Sequence, residues 1–367
     1  MDITHITLQT FRNISGASLD FDDTPVKVIL GPNGSGKTNL LEALSLLAPG
    51  TGLRRAKLGE LKEQTGTPDN LTTAKSWELF FKLNTPEDSH KVGLGYKGNK
   101  RQLRIDGEDA SNQAALAELG SVLWFTPEMD HLFAGSPSAR RRFLDRLVFG
   151  HDPKHAFHLN RYNVHIQNRN KLLKEQPDTT WLTLEEEAAA PHGVATIRAR
   201  QNYLQSLAPH LRQVGLSLTG TPEKAAETLA DDELSKYLLT SWQDGRDSAK
   251  GARDIRSGRT QFGPHRVDVT GHIGHTPLPR ASMGQHKKAV LTILLANAEH
   301  RVASGKTAPC LLLDEAAAHL DKENRKLLYT ELLPLGGQLW LTGTERELFA
   351  ELPEAQILHA EDGQFHF

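Results

Sequence analysis

The residues of this chain best suited to chemistry lie between Val28 and Leu44. Gly31, Gly36, Lys37 and Thr38 in this segment fit the pattern G-x-x-x-x-G-K-[ST]. Glycines in such a loop let backbone N–H groups turn towards a polyphosphate, the lysine reaches the β- and γ-phosphates, and the threonine hydroxyl binds Mg²⁺. The pattern therefore predicts a site for a nucleoside triphosphate and Mg²⁺. The alternative is an ordinary glycine turn before a helix.

The sequence around this loop predicts the elements that position it. The apolar run from Val26 to Leu30 is typical of a buried strand. The leucines after Thr38 recur at helical spacing until Pro49 and Gly50 end the helix. A helix N-terminus that follows such a strand and loop favours bound phosphate. We expect the nucleotide to contact the loop residues Gly31, Pro32, Asn33, Gly34, Ser35, Gly36, Lys37, Thr38 and Asn39.

Two adjacent carboxylates, Asp314 and Glu315, follow the apolar run from Pro309 to Leu313. A nucleotide held by such a glycine-rich loop needs a carboxylate to help hold Mg²⁺. Asp314 fits that role together with Thr38, and Glu315 is then free to polarise an attacking water as the catalytic base. The alternative is a buried strand followed by an aspartate that caps a helix.

A third feature is the sequence Ser282-Met283-Gly284-Gln285, which precedes an apolar helix. A serine and a glycine at a helix start can hold an anion, because the first N–H groups of the helix have no partner within it. The alternative is a plain helix cap, since a serine and a glycine at this spacing are a weak signal alone.

Composition limits the possible classes of protein. The chain has 367 residues with a net charge of −2, so any contact with nucleic acid must come from local basic patches. No apolar run approaches the length of a membrane span, and we expect no membrane partner. The single cysteine, Cys310, fits a reducing compartment. With no basic or apolar leader at the N-terminus, we expect a cytoplasmic, nucleoid-associated protein.

Periodicity predicts an α/β fold interrupted by a mostly helical insertion. Strand-like runs are Ile3–Phe21 (two strands), Ser76–Leu83, Val92–Tyr96, Gln102–Ile105, Val267–Val269, Pro309–Leu313 and Gln338–Thr342. Helical periodicity covers Arg141–Val148, Ala156–Lys174, Trp181–Glu187, Val194–Leu211 and Gly284–His300.

The order of the motifs, with Asp321 after the acidic pair, resembles the ABC-type ATPase head. In that family the serine–glycine motif of one subunit closes on ATP bound by the other, which here implies Ser282, Gly284 and Gln285. Asp321 matches the aspartate of the family's D-loop at the dimer interface. The resemblance implies an ATP-dependent homodimer that ATP hydrolysis releases.

Further segments resemble one branch, the RecF family of bacterial recombination and gap-repair ATPases. Lys37 and Asp314 are 277 positions apart, which is longer than in a transporter ATPase and far too short for an SMC-type arm. The similar segments are Phe11–Asn13, Asn33–Ala43, Gly50–Ala56, Phe125–Glu128, Gly135–Asp145, Gln167–Lys174 and Gly258–Arg266.

The resemblance implies roles for further residues. Arg12 corresponds to an arginine on the nucleotide side, with a packing role as the alternative. Thr126 stands where ABC ATPases commonly have a glutamine, and Thr344 follows the last strand where a histidine is usual. Both threonines are candidate γ-phosphate sensors. Their presence favours slow ATP hydrolysis over fast turnover, and we also expect DNA to stimulate the hydrolysis.

Clusters of basic residues are the candidate DNA contacts. They are Arg54, Arg55 and Lys57 after the nucleotide loop, and Arg140 and Arg141 at the entry to the helical insertion. The alternative for each cluster is a solvated charged face. Nothing in the sequence indicates base-specific contacts, so we expect recognition of the backbone and shape of duplex DNA and of single-strand/duplex junctions.

The family resemblance completes the hypothesis. We expect a P-loop ABC-type ATPase head at 1–127 and 256–367, with a helical arm at 128–255. The implied function is ATP-dependent DNA binding at single-strand gaps in recombinational repair, with RecR and RecO, to help load RecA. The alternative is the ATPase of another DNA-linked system, such as a defence or nuclease-coupling ATPase.

The histidines of the arm raise a competing possibility. His151, His155 and His158 invite a metal site, but only His155 and His158 share a helical face, and no carboxylate or cysteine accompanies them at a matching spacing. A structural role is the expectation for these residues. For His265 a structural hydrogen bond and a catalytic role both stay open.

Overall fold

The computed structural model describes the chain except for residues 68–69, 111–112, 176–178, 248, 316–324, 327–328, 332 and 353. Its strands are β1 Asp2–Phe11, β2 Ile14–Asp20, β3 Val26–Leu30, β4 Gln64–Thr67, β5 Asn70–Thr73, β6 Trp77–Asn84, β7 Ser89–Lys97, β8 Lys100–Ile105, β9 Glu108–Asp109, β10 Val122–Phe125, β11 Val214–Thr219, β12 Asp268–Ile273, β13 Thr276–Pro277, β14 Cys310–Leu313, β15 Leu339–Gly343, β16 Gln356–Glu361 and β17 Gln364–His366. Its helices are α1 Lys37–Ser45, α2 Ala114–Leu119, α3 Pro137–Phe149, α4 Pro153–Leu172, α5 Thr179–Leu207, α6 Thr221–Ala226, α7 Asp231–Arg246, α8 Arg253–Ser257 and α9 Met283–Ala303.

A central sheet carries the nucleotide loop. Its strand order is β10-β14-β15-β3-β16-β17, and every pair is parallel except β16 and β17. All residues of β3, β10, β14 and β15 are buried. Continuous apolar strands of this kind are expected where both faces of a parallel sheet are covered. The strands predicted at Val26–Leu30, Pro309–Leu313 and Gln338–Thr342 are therefore confirmed.

A second sheet, β2-β1-β6-β7-β8-β9, is antiparallel throughout. Burial along β6 mostly alternates between inward and outward residues, as in WELFFKLN. Alternation of this kind shows that one face packs on a core while the other meets water. Both sheets belong to the same compact unit, 1–130 with 294–367.

The second compact unit, 131–293, is mostly helical. Its core is built by α4, α5, α6 and α7, and the buried residues are Tyr162, Ile166, Ala189, Ala190, Val194, Ile197, Ala226, Leu234, Leu238 and Trp242. A single helix, α5, covers the helix predicted at Trp181–Glu187 and most of the one predicted at Val194–Leu211, with Pro191 inside it. The helix ends at Leu207, and a 3-10 turn follows at Ala208–His210.

The division into units differs from the predicted domain bounds at both ends of the inserted unit, slightly at 128–130 and over a long segment at 256–293. Residues 256–293, which we expected in the ATPase head, pack with the helical unit. The reason is β12, which pairs antiparallel with β11 from Val214↔Ile273 to Thr219↔Asp268. Sequence reasoning missed β11 because a six-residue strand carries little periodic signal beside long helices.

Among the described residues, no helix combines the length and apolar composition that crossing a bilayer requires.

Candidate nucleotide-binding site

The loop after β3 takes a conformation that its glycines make possible. Gly34 and Gly36 have φ angles of 84° and 110°, in the left-handed region that favours glycine. A Cβ on Gly31 would lie 2.2 Å from the carbonyl oxygen of Ala360, so no larger residue fits there. The backbone therefore turns directly into α1, whose N-terminus begins at Lys37.

Lys37 is held inside its own loop. Its Nζ donates to the carbonyl oxygens of Gly31 at 2.6 Å and Pro32 at 2.8 Å, and the residue is 4% exposed. Burial lowers the pKa of the ammonium, and the nearby carboxylates of Glu315 and Asp314 oppose that shift. A phosphate is the natural partner for a buried ammonium that now binds only carbonyl oxygens.

The Thr38 hydroxyl faces the acidic strand end. Its Oγ1 donates to Asp314 Oδ1 at 3.0 Å and Oδ2 at 3.1 Å, across 276 positions of sequence. Burial raises the pKa of Asp314, while hydrogen bonds from Thr342 and Thr38 lower it and the charge of Glu315 raises it. These groups fit Mg²⁺, because a hydroxyl and a carboxylate already face each other as the P-loop and acidic ligands do.

Thr342 at the end of β15 joins both carboxylate residues. Its hydroxyl donates to Asp314 Oδ1 at 2.8 Å and accepts from the backbone N–H of Glu315 at 2.9 Å. Glu315 is partly exposed and has a φ of 51°, an uncommon angle for a residue with a side chain. One buried hydroxyl therefore orients Asp314 and fixes the backbone of Glu315.

A buried carboxylate in α1 anchors two arginines. Glu42 is 0% exposed, and its two oxygens accept from Arg12 Nε and Nη2, each at 2.8 Å. Arg54 approaches the same carboxylate at 3.4 Å and also donates to Asn39 Oδ1. Burial has the largest effect on the pKa of Asp314 and raises it, whereas the positive charge of Arg54 lowers it. These contacts place Arg12 and Arg54 beside the nucleotide loop.

The loop is also bound to segments distant in sequence. Asn13 Nδ2 donates to the carbonyl of Gly34 at 3.1 Å, and Asn39 Nδ2 donates to Asn13 Oδ1 at 2.6 Å. The backbone N–H of Gly363, in the β16–β17 hairpin, donates to the carbonyl of Ser35 at 2.9 Å. The loop is therefore held by the turn between β1 and β2 and by the turn between β16 and β17.

Comparison with known proteins agrees with this geometry. The RecF/RecN/SMC N-terminal domain family matches residues 2–358. "DNA replication and repair protein RecF" of Allorhizobium ampelinum is 38% identical over 98% of this chain and 97% of its own length. The chain belongs to the RecF family. This membership supports ATP binding and an ATPase activity in general.

Solved structures of the RecF family extend the match to the fold. One, described as "the recombination mediator protein RecF-ATPrS in RecFOR pathway", has a TM-score of 0.84 and 26% identity over 99% of this chain and 97% of that chain. A second, described as RecF-ATP in the same pathway, has a TM-score of 0.81 and 26% identity over 100% and 98%. The ABC-type head with a helical insertion predicted from sequence is thereby confirmed.

The remaining predicted residues occupy varied positions. Thr126 is buried directly after β10, and Thr344 is exposed directly after Gly343, whose carbonyl accepts from the N–H of Gly31 at 3.2 Å. Ser282 and Gln285 cap α9 reciprocally, at 2.8 Å and 3.3 Å, with Gly284 between them. Asp321 lies outside the described residues.

The basic residues divide into two groups. Arg55 and Lys57 are exposed after the nucleotide loop, and Arg54 is 41% exposed. Arg140 is buried instead, with Nε and Nη2 both 2.8 Å from the Asp268 carboxylate, and Arg141 donates to the carbonyl of Val267. The Arg140 guanidinium is thus bound to Asp268, a residue of the same unit, which is a structural role and not the DNA contact expected from sequence.

The arm histidines also have structural partners. His155 Nε2 lies 2.8 Å from Asp145 Oδ1, and His158 Nδ1 lies 2.9 Å from His192 Nδ1. His265 accepts from the Tyr162 hydroxyl at 2.6 Å and donates from Nε2 to the carbonyl of Thr260, and burial lowers its pKa to about 4. Among the described residues, no group of three or more His, Cys, Asp or Glu side chains could hold a metal ion.

Sequence reasoning missed three residues of this site: Asn13, Glu42 and Thr342. A signal for Thr342 was present, because the two predicted apolar strands end at Thr342 and directly before Asp314. The structure pairs Leu341 with Leu313 in parallel, so the residues that follow them, Thr342 and Asp314, lie side by side. Asn13 and Glu42 lie within segments that resemble the RecF family, but no local pattern distinguishes a buried glutamate from an exposed one on a short helix.

Proposed function

We propose that this chain is an ATP-hydrolysing DNA repair protein that dimerises on DNA when ATP is bound and that slow hydrolysis releases the dimer. The observation that carries the proposal is the contact of Thr38 with Asp314, both held beside Lys37. That constellation suits a triphosphate with Mg²⁺. The relatives described as DNA replication and repair proteins, and the RecFOR pathway of the solved structures, support the biological setting.

Each residue of the site has a role in this proposal. Lys37 exchanges its two carbonyl partners for the β- and γ-phosphates. Thr38 and Asp314 hold Mg²⁺, which when bound neutralises charge on the phosphate oxygens. Thr342 binds the backbone N–H of Glu315 and not its carboxylate. The Glu315 carboxylate orients the attacking water and accepts its proton. Thr344, beside Gly343 and Gly31, senses the γ-phosphate, with Thr126 as the second candidate.

The dimer is proposed on the basis of Ser282, Gly284 and Gln285. The reciprocal cap orders the start of α9, and all four residues from 282 to 285 are exposed, with Met283 62% exposed. A preformed helix N-terminus of this kind can bind phosphate of the partner subunit's nucleotide. Asp321 would lie at the same interface.

DNA contact is proposed for Arg55 and Lys57, with Arg54 at the boundary between nucleotide and DNA. Their position directly after α1 couples DNA binding to the nucleotide loop, because Arg54 donates to Asn39 within that helix. DNA bound to this segment would shift Arg54 and thereby change the conformation of the nucleotide loop. This coupling would let DNA stimulate ATP hydrolysis. Contacts to duplex DNA and to single-strand/duplex junctions, and cooperation with RecR, RecO and RecA, complete the proposal.

Sedimentation of wild type, Lys37→Arg and Ser282→Arg, with and without ATP and DNA, tests the proposal. Of these three proteins, we expect ATP to dimerise the wild type and neither variant, because Lys37→Arg weakens phosphate binding and Ser282→Arg places a bulky cation at the shared interface. Ser304→Arg, exposed at the far end of the same helix region, is the matched control and should dimerise. A wild type that stays monomeric with ATP, or a Ser282→Arg variant that dimerises fully, contradicts the cross-subunit site.

A further inference from the structure

A cavity of about 430 Å³ opens in the unit that carries the nucleotide loop, and none of the residues assigned to ATP lines it. Its apolar wall includes Val28 and Leu30 of β3, Ile357 of β16, and Phe349 and Leu352 of the segment between β15 and β16. The volume lies within the range of ligand pockets, about 300–1,000 Å³. None of the roles proposed above uses this cavity.

The charged residues of this cavity stand on its rim. Arg346, Glu347 and Glu354 line it and are exposed, and Glu345 beside them is exposed as well. The rim is therefore acidic by excess of glutamate, and duplex DNA is an unsuitable occupant because its phosphates would be repelled. The apolar floor offers no convergent polar groups to orient a small polar ligand. An apolar centre with a charged rim is instead the arrangement of a protein–protein contact.

The cavity is joined to the nucleotide loop by direct packing. A Cβ on Gly343 would lie 2.5 Å from Cε2 of Phe349, so this ring rests on the Gly343 backbone. The carbonyl of Gly343 accepts from the N–H of Gly31, and Leu30 directly precedes that glycine. An occupant that presses on Phe349 or Leu30 therefore acts on the strand ends that hold the loop.

We propose that this cavity is the docking site for a segment of a partner protein that inserts a large apolar side chain and presents lysine or arginine to the acidic rim. Docking is coupled to nucleotide binding through Phe349, Gly343 and Gly31. The coupling rests on the proposed ATP binding, whereas the docking does not.

A displayed library of random 12-residue peptides, selected against the full chain, tests the docking. Ala350→Trp, which fills the cavity from an exposed lining position, serves as the counter-selecting variant. We expect peptides that need the open cavity to combine a large apolar residue with flanking lysine or arginine. The proposal is overturned if no selected peptide depends on the open cavity, or if the dependent peptides are all acidic. It is also overturned if the selected sequences match a segment of this chain, because the occupant would then be a second copy of the chain.

Fluorescence anisotropy of the best synthetic peptide then measures the contacts. We expect about a tenfold loss of affinity in Ala350→Trp and in the pair Glu347→Lys with Glu354→Lys, since buried anchors and facing charges dominate small interfaces. Glu108→Lys, an exposed charge reversal on β9, is the matched control and should bind normally. Equal affinity for all four proteins overturns the proposed surface.

The coupling has its own readout. Because linkage is reciprocal, a non-hydrolysable ATP analogue should change the peptide affinity by about fivefold or more. Direct titration of the analogue in the same samples separates the two hypotheses. If the analogue binds and the peptide affinity does not change, the coupling is wrong; if the analogue does not bind, the proposed ATP site is wrong and the docking result stands.

Discussion

Replacement of Thr342 by valine isolates the contribution of one hydroxyl to the acidic end of the site. Valine keeps the shape of threonine at a position that is 1% exposed, but it removes the donor to Asp314 and the acceptor for the Glu315 N–H. A hydrogen bond to a charged group contributes about 1.5–3 kcal/mol, and a buried N–H left without a partner costs about 1–3 kcal/mol. Thr342→Ser keeps the hydroxyl and is the matched control.

The first effect falls on Mg²⁺. Because Asp314 loses the bond that orients it, we expect the Mg²⁺ concentration for half-maximal ATP hydrolysis to rise about 10- to 100-fold, as removal of a metal ligand's supporting partner typically does. Turnover at saturating Mg²⁺ should also fall, since the Glu315 backbone is released. Thr342→Ser should stay close to wild type in both quantities.

The pH profile gives an independent check. Burial already raises the pKa of Asp314, and the Thr342 bond opposes that shift. Without the bond the pKa rises further, so the acidic limb of the turnover–pH profile should move to higher pH in Thr342→Val and not in Thr342→Ser. A valine variant with the Mg²⁺ dependence and the pH profile of the wild type would refute this account of the site.

Two further predictions concern the helical unit. Glu223 is 2% exposed, neither of its carboxylate oxygens has a hydrogen-bond partner in the described structure, and burial raises its pKa from 4.5 to about 7. The folded state therefore binds the proton more tightly than the unfolded state, and the free energy of unfolding should fall by about 3 kcal/mol as pH rises from 4.5 through 7. In urea unfolding, Glu223→Gln should flatten this dependence of the free energy of unfolding on pH. An unchanged dependence would contradict the protonation of buried Glu223. Arg169 is 0% exposed and binds the buried carboxylates of Glu186 and Asp254. Arg169→Met should cost about 3–5 kcal/mol, because both carboxylates lose their fully buried partner and keep only contacts to the more exposed Arg246 and Arg253. Exposed Arg161→Met should change thermal unfolding little.

Sequence reasoning reached the nucleotide loop because its chemistry is local. Gly31 to Thr38 must be contiguous for the backbone to surround a phosphate, and the apolar runs that become β3, β14 and β15 are fully buried on both faces. The family resemblance, which covered most of the chain, then supplied the architecture. The loop pattern depends on residues that are close in sequence, and the family resemblance depends on the order of the motifs along the chain.

The rest of the site depends on contacts that sequence does not encode locally. The ion-pair partners of Glu42 are Arg12 and Arg54. The burial of Glu42 therefore depends on how the segments that contain these three residues pack together. Arg140 was expected at DNA because basic runs are usually exposed, but its partner Asp268 lies 128 positions away. Charge and periodicity cannot distinguish a surface arginine from one that meets a distant carboxylate in the core.

The hydrogen bond from the Gly363 N–H to the Ser35 carbonyl has a consequence for folding during synthesis on the ribosome. The nucleotide loop leaves the ribosome early, but Asp314, Thr342 and Gly363, which complete and hold it, are synthesised long afterwards. Translation proceeds at about 5–20 residues per second, so the loop waits for tens of seconds without its partners. The helical unit, whose core contacts are internal, emerges whole in that interval. We therefore expect a nascent chain to hold ATP tightly only after the β16–β17 hairpin, which contains Gly363, has been synthesised.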